Sequence, residues 1–383
     1  MRATKTDDQP TTLWDIARLF FKLGTTAFGG PAAHIAMLQH EVVERRGWMS
    51  RAEFLDHIGA SNLIPGPTST ELVIHIGRRR GGWPGLLVAG TCFILPAAIM
   101  VGVLAWAYVR FRSLPAVSGW LYGVKPVVIA VILQALWKLG RTAIKRVSLG
   151  MVALVTLVLS IAGISPLWVL LVGGFLAIAV SLDAPRMKAI IFSSAAPVAA
   201  ASAVIPTAPG LWPILLVFIK IGAMVFGSGY VLLAFLRADL VERLGWITQQ
   251  QLLDAVAVGQ VTPGPVFTTA TFLGYLLRGP AGAAAATIGI FLPAFVLVAI
   301  SAPVIPRIRA SRVASAALDG INVASLALMA VVTWQLAQSA LVDATTVALA
   351  LVSALALFVF PRLNSAWLIG GAGVLGALRY VWS

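Results

Sequence analysis

From Lys22 the chain reads KLGTTAFGGPAAHIAMLQHEVVERRGW, and 198 residues later, from Lys220, it reads KIGAMVFGSGYVLLAFLRADLVERLGW. The register runs on without a gap through LIPGPTSTELVIHIG, Leu63 to Gly77, and VTPGPVFTTATFLGY, Val261 to Tyr275. Lys22 and Lys220, Gly24 and Gly222, Phe28 and Phe226, Glu44 and Glu242, Trp48 and Trp246, and Asp56 and Asp254 coincide. Such a duplication constrains the fold more than any single motif, because whatever one half builds the other must build again. Each copy also carries Pro-Gly-Pro inside an apolar run. No unbroken helix passes through it: proline has no amide hydrogen and its ring opposes the preceding turn.

The surroundings of those breaks follow from composition. Hydrophobic residues make up 59% of the chain and charged residues 11%, where a soluble domain carries roughly 25% charged. Uncharged runs such as Leu86 to Ala107, Val147 to Ser181 (enough for two) and Val313 to Trp334 approach or reach the roughly 20 residues of a bilayer span. The fold class is therefore an all-α polytopic membrane protein with the lipid bilayer as its solvent. After each PGP motif come four apolar segments, near 84–109, 117–137, 147–163 and 165–182, then near 281–304, 314–337, 342–360 and 364–382. The organisation reads as an N-terminal repeat, 1–182, a linker rich in Ala, Pro and Ser, 183–210, and a C-terminal repeat, 211–383. The apolar part of that linker, Ala189 to Ile205, leaves open a contact with the membrane.

Twenty-eight basic against 14 acidic residues give a net charge of +14. Nucleic acid is not the expected partner, because the basic residues gather in short loops, as in Arg78-Arg79-Arg80 and Lys138 to Arg146, where positive charge is retained on the cytoplasmic side. Cys92 is the one cysteine, so no intrachain disulfide and no thiolate metal cage is expected. The start, MRATKTDDQPTT, lacks the apolar core of a secretory signal.

Orientation follows from counting. With the PGP segment as a re-entrant hairpin and the FGG helix as a crossing, each unit crosses five times, and an odd number turns the second unit upside down. Loop charge agrees. In the first unit Arg78, Arg79, Arg80, Lys138, Arg141, Lys145, Arg146, Arg186 and Lys188 share one face, against Arg110 and Arg112 on the other. In the second unit the opposite face leads, with Arg307, Arg309, Arg312 and Arg362 against Arg278 and Arg379. Adding Arg45, Arg46, Arg51, Arg237 and Arg243 strengthens the first bias and cancels the second. The expected architecture is two homologous halves in an inverted repeat, with broken helices and re-entrant PGP hairpins.

An unpaired backbone group in hydrocarbon costs several kcal/mol, so a break persists only where protein or a water-filled cavity covers it. The half-helix after Pro65-Gly66-Pro67 aims amide hydrogens and the positive end of its dipole at the break, and Thr68, Ser69 and Thr70 add hydroxyls. Pro263-Gly264-Pro265 with Thr268 repeats the device. Gly29-Gly30-Pro31 and Gly227-Ser228-Gly229 interrupt the preceding helices with small residues that let backbone approach a ligand. Four positive helix ends converging near the midplane make a pocket for an anion; a packing kink at PGP and close helix packing at FGG are the competing readings. Glu71, one turn past the first PGP, is a proton-coupling candidate or the partner of an arginine. Lys22 and Lys220, six residues before the FG breaks, either snorkel to the interface or attract the anion and take part in coupling. Asp56 and Asp254 read as structural, His34 and His75 as packed side chains, and Trp48 and Trp246 as interfacial anchors.

The segments FGGPAAHIAM, IPGPTSTELVIHIG and TPGPVFTTATFLGY resemble the signature segments of the chromate ion transporter family in its long, two-domain form, and the resemblance covers essentially the whole chain. It implies export of chromate from the cytoplasm across the plasma (inner) membrane by a multi-pass secondary transporter, driven by the proton gradient or membrane potential, conferring chromate resistance. It carries Phe28, Gly29, Gly30, Pro31, Pro65, Gly66, Pro67, Phe226, Gly227, Pro263, Gly264 and Pro265 as motif positions. Some members place an acidic residue directly after the first PGP, where Thr68 stands here, and this leaves the coupling residue open. Sulfate, also a tetrahedral dianion, keeps a sulfate or other oxyanion permease as the alternative. An enzyme is not expected: four histidines, one cysteine and no GxGxxG, P-loop or HExxH pattern offer no cofactor, metal site or nucleophile and base. A homodimer is left open.

Overall fold

The computed structural model describes residues 11–28, 30–181, 209–226, 229–301, 311–360 and 363–382. Gly29, Gly227, Ser228, nearly all of the linker expected over 183–210, and Arg307, Arg309 and Arg362 lie outside the described residues.

Helix α1 (Leu13–Thr26) starts from a capping box, in which Thr12 and Asp15 each bond the other's backbone N–H. It ends where Ala27 turns extended. Helix α2 (Gly30–Gln39) starts at Gly30, whose φ of 76° only glycine adopts freely, and winds into a π-helix over His40–Arg45. Lys22 Nζ lies 2.9 Å from Glu41 Oε1 and His34 Nε2 lies 3.0 Å from the Ala27 carbonyl, pairs that centre on the break. The FGG segment thus doubles back on itself instead of crossing. The second copy folds alike, with α8 (Leu211–Met224), a 3-10 turn Gly229–Val231, α9 (Leu232–Leu236) and a π-helix Arg237–Arg243, clamped by Lys220 and Asp239 at 2.9 Å.

PGP sits at the tip of a second hairpin. Its limbs are α3 (Arg51–Ser61) and the start of α4 (Thr68–Phe111), tied by Arg79 and Glu53 at 3.0 Å and by the His57 and His75 rings at 5.6 Å. Helix α4 turns sharply again at Gly81 and Gly82, the latter at φ 61°, ψ −147°. Its outgoing limb folds against the first so closely that a Cβ on Gly77 would overlap the Gly85 carbonyl. In the second unit α10 (Gln249–Val261), a 3-10 turn Val266–Thr268 and α11 (Thr269–Ser301) repeat this, turning at Gly279 with φ 57°, ψ −150°. On the outgoing limb of α4, Leu95, Ile99, Val103 and Trp106 are exposed at i, i+4, i+8 and i+11, an apolar stripe suited to lipid.

The units continue with α5 (Pro115–Ala143), α6 (Val147–Ile161) and α7 (Pro166–Ser181), then α12 (Arg312–Ala340), α13 (Ala344–Val359) and α14 (Ser365–Trp382). Among the described residues four helical stretches are long and apolar enough to cross a membrane: Thr68–Phe111, Pro115–Ala143, Val266–Ser301 and Arg312–Ala340. Helices α6 and α7, 15 and 16 residues, reach only about 23 Å. That is short of the roughly 30 Å hydrocarbon core, a mismatch a bilayer meets by local thinning.

Equivalent helices run in opposite directions. Helices α5 and α12 are antiparallel, since Lys145 at the end of α5 meets Asp319 near the start of α12 at 3.1 Å, while Tyr122 near the start of α5 meets Asp343 beyond the end of α12 at 2.6 Å. The outgoing limbs of α4 and α11 agree: Arg78, just before the turn and beside the base of α4's outgoing limb, bonds the Val298 carbonyl at 3.0 Å, and further along that limb Gly90 packs on Phe295. The inversion therefore stands on these pairings. The count of five crossings does not survive, because its FGG helix turns back. Glycine lets helices of the two units touch, and a Cβ on Gly123 would overlap the Ala372 carbonyl. Gly123→Leu is expected to destabilise the protein by about 3 kcal/mol or more, seen as a lower melting temperature in detergent.

Candidate functional site

The four breaks meet between the units, each PGP tip reaching into the other unit's FG break. The Gly66 N–H donates to the Val225 carbonyl at 2.7 Å, and the Gly264 N–H donates to the Ala27 carbonyl at 2.9 Å. These two bonds are the same bond taken twice through the pseudo-twofold relation. Behind the tips the exchange recurs: Ala294 of the second unit stands 3.6 Å from a Cβ built on Gly66, and Ala97 of the first stands 2.5 Å from one on Gly264. Both glycines have positive φ, 142° and 93°, so the Gly in PGP is there for its backbone. Gly229 closes the group from its own side, near the Phe267 ring and Val266.

The sequence-predicted residues are brought together unevenly. Gly66, Pro67, Thr68, Ser69, Thr70, Pro263, Gly264, Pro265 and Thr268 are buried at the tips, Pro65 is half-buried, and Gly30 opens α2 beside them. Pro31 follows in the first turn of α2. The tip amides are not unsatisfied, as the sequence suggested; each glycine amide is answered by a carbonyl of the opposite unit, which is how the broken backbone is kept away from lipid. The hydroxyls of Thr268 and Thr269 bond back to the Pro265 and Val266 carbonyls at 2.8 Å. In the first unit the polar atoms point elsewhere. Ser69 Oγ meets His34 Nδ1 at 3.3 Å, whereas Thr70 Oγ1 and both carboxylate oxygens of Glu71 are buried without a hydrogen-bond partner. Glu71 Oε1 is the atom a Cβ on Gly66 would strike.

Lys22 and Lys220 do not reach the tips: they clamp the hairpins onto buried Glu41 and Asp239, which Arg45 and Arg243 also bind, at 3.0 and 2.8 Å. Asp56 is exposed, but its repeat partner Asp254 is buried. Lys125 Nζ stands 2.7 Å from Asp254 Oδ1, and the Tyr108 hydroxyl donates to Oδ2 at 2.8 Å. Sequence reasoning passed over Lys125, although a lone lysine in the apolar run 117–137 carries the same signal as Glu71.

The model of one family, "Chromate transporter", matches residues 14–178 and again residues 212–377, the two units whose breaks meet. The chain belongs to the chromate transporter family. It is 33% identical over 380 residues to a chromate transport protein of Cupriavidus metallidurans, covering 96% of this chain and 94% of that protein. A Pseudomonas aeruginosa chromate transport protein is 32% identical over 380 residues, covering 94% and 91%. An uncharacterised transporter of Bacillus subtilis is 34% identical over 128 residues, 33% of this chain but 72% of that protein, so a relative of this family is built at about the length of one unit. No solved structure matches. This family membership and the four apolar spans make the protein a multi-pass membrane transporter.

Proposed function

We propose that this transporter carries chromate, exporting it from the cytoplasm across the plasma membrane as a secondary transporter driven by the proton gradient or the membrane potential. The observation that carries the reading is the reciprocal bonding of Gly66 to Val225 and Gly264 to Ala27. It buries four broken backbones at one place between inverted halves, the arrangement by which such transporters bind an ion at the midplane and expose it to either side. In this reading the halves 1–182 and 211–383 rock about the shared tips, and the two PGP hairpins are re-entrant. The substrate-binding set is the paired tips, Gly29 to Pro31, Pro65 to Thr70, Gly227 to Gly229, Pro263 to Pro265 and Thr268, whose helix ends supply positive potential. Glu71 is the coupling residue.

The face carrying Arg78, Arg79 and Arg80 is cytoplasmic. Arg79 binds Glu53 and Arg80 lies over Trp48, so the first unit's hairpin bases with Arg45, Arg46 and Arg51 share that face; Lys145 and Asp319 put the start of α12 there too. Reconstituted vesicles with an imposed gradient test the whole reading. Chromate flux that follows the gradient and is slowed by sulfate is expected; sulfate accumulation without chromate movement would make the protein a sulfate permease instead.

A further inference from the structure

A cleft of about 330 Å³ opens between the units on the face opposite Arg78, Arg79 and Arg80, lined by Tyr108, Arg112, Tyr122, Lys125, Asp254 and Ser339 among others. We infer that this cleft is a second oxyanion site, in which Lys125 and Arg112 receive the tetrahedral dianion and Asp254 is the built-in anion that occupies Lys125 between ions. This inference rests on the proposed transport of an oxyanion.

Three observations carry it. First, Lys125 and Asp254 are 8% and 3% exposed and only 2.7 Å apart. The attraction of two charges withdrawn from water repays their desolvation only with further hydrogen bonds; Asp254 has one from Tyr108, and the Lys125 ammonium keeps N–H donors that face the cleft. Second, the cleft holds roughly ten water volumes, room for a small oxyanion that keeps part of its hydration, and its donors suit one: an ammonium, a guanidinium and the hydroxyl of Ser339, while the Tyr122 hydroxyl on its wall is already given to Asp343. Third, the pair joins different units, Lys125 from α5 and Asp254 from α10, the helix that leads straight to the second PGP. The site is not duplicated. Asp56, the repeat partner of Asp254, is exposed, and aligning the starts of α5 and α12 puts Asn322 where Lys125 would recur.

The chemistry is an exchange of partners on one ammonium, with no covalent step. An oxyanion leaving the tips meets Lys125 and Arg112; Asp254 competes for the same ammonium and drives the dianion off toward the open face. Binding from that face runs in reverse and frees α10, with the PGP tip at its end.

Calorimetry on the purified full chain in detergent, with chromate and separately with sulfate, tests this. Lys125→Gln is expected to weaken binding at least tenfold, and Lys125→Arg to stay within about threefold of wild type. Asp254→Asn removes the competitor, so it should bind several-fold tighter yet release more slowly, lowering steady-state efflux from vesicles. The double variant Lys125→Gln with Asp254→Asn separates an anion site from a structural ion pair. It keeps the weak binding if Lys125 holds the ion; recovery of wild-type affinity, or a Lys125→Gln protein that binds normally, overturns the proposal. Where the single variant fails to fold, the double variant and Asp254→Asn decide. Wild-type protein that neither binds nor moves either ion would bring down the transport reading itself.

Discussion

Gly264→Leu is expected to stop transport, lowering flux at least about a hundredfold, while the protein still inserts into the membrane. Three effects add at this one residue. Its φ of 93° is outside the range an L-residue adopts without strain, a cost of about 1–3 kcal/mol. Its new Cβ would stand 2.5 Å from Ala97 Cβ, and overpacking of that kind adds about 1–3 kcal/mol. The relief available is to withdraw the tip, which breaks the Gly264 to Ala27 bond and leaves both groups unpaired deep in the protein. A few kcal/mol at a site whose geometry sets the barrier is enough for the stated loss, since each 1.36 kcal/mol is tenfold in rate. Gly66→Leu should behave alike, with the Glu71 carboxylate as the obstacle. Gly245 supplies the control: its φ is also positive, 60°, but nothing lies within 4 Å of an added Cβ, so Gly245→Ala should cost only about 1 kcal/mol and leave flux nearly intact. Flux from reconstituted vesicles decides, and normal efflux from Gly264→Leu would remove the breaks from the site.

Much of this architecture is legible in the sequence because membrane helices are punctuated by the residues that cannot stay inside. The segment expected near 117–137 is α5 at Pro115–Ala143, and that expected near 147–163 is α6 at Val147–Ile161, with Arg146 and Gly163 at its edges. The positions of the breaks were equally plain, since Pro and Gly act locally. What escaped is long-range. A half-helix and its return read as one apolar crossing, so the doubling back at FGG was hidden; its one trace is an acid 19 residues after each lysine, Glu41 after Lys22 and Asp239 after Lys220. Nothing local pairs Gly66 with Val225 or Lys125 with Asp254, because those contacts exist only once two inverted units are docked. The duplicated tips differ in one respect: Thr268 and Thr269 stand where the first unit has Thr70 and Glu71, and their hydroxyls are spent on their own turn.

That asymmetry makes Glu71 the place to look for energy coupling. It is fully buried, neither oxygen has a hydrogen-bond partner, and the group it faces is the Gly66 corner. An ionised carboxylate without a partner is very costly in such surroundings, whereas a protonated one costs only its missing hydrogen bonds. In the proposed function, proton occupancy at Glu71 follows the state of the tip: a dianion bound there would add repulsion to any negative charge on Glu71, and opening to water would allow the proton to leave. Glu71→Gln fixes the neutral form in nearly the same volume. The variant is expected to fold at least as well as wild type and to move chromate down its own concentration gradient at a similar rate. Its response to an imposed pH gradient should fall tenfold or more, with the membrane potential clamped so that the proton term is read alone. Glu71→Gln vesicles that accelerate with the pH gradient as wild type does would place the coupling elsewhere, and would leave an unpartnered buried carboxylate one turn from the break without a task.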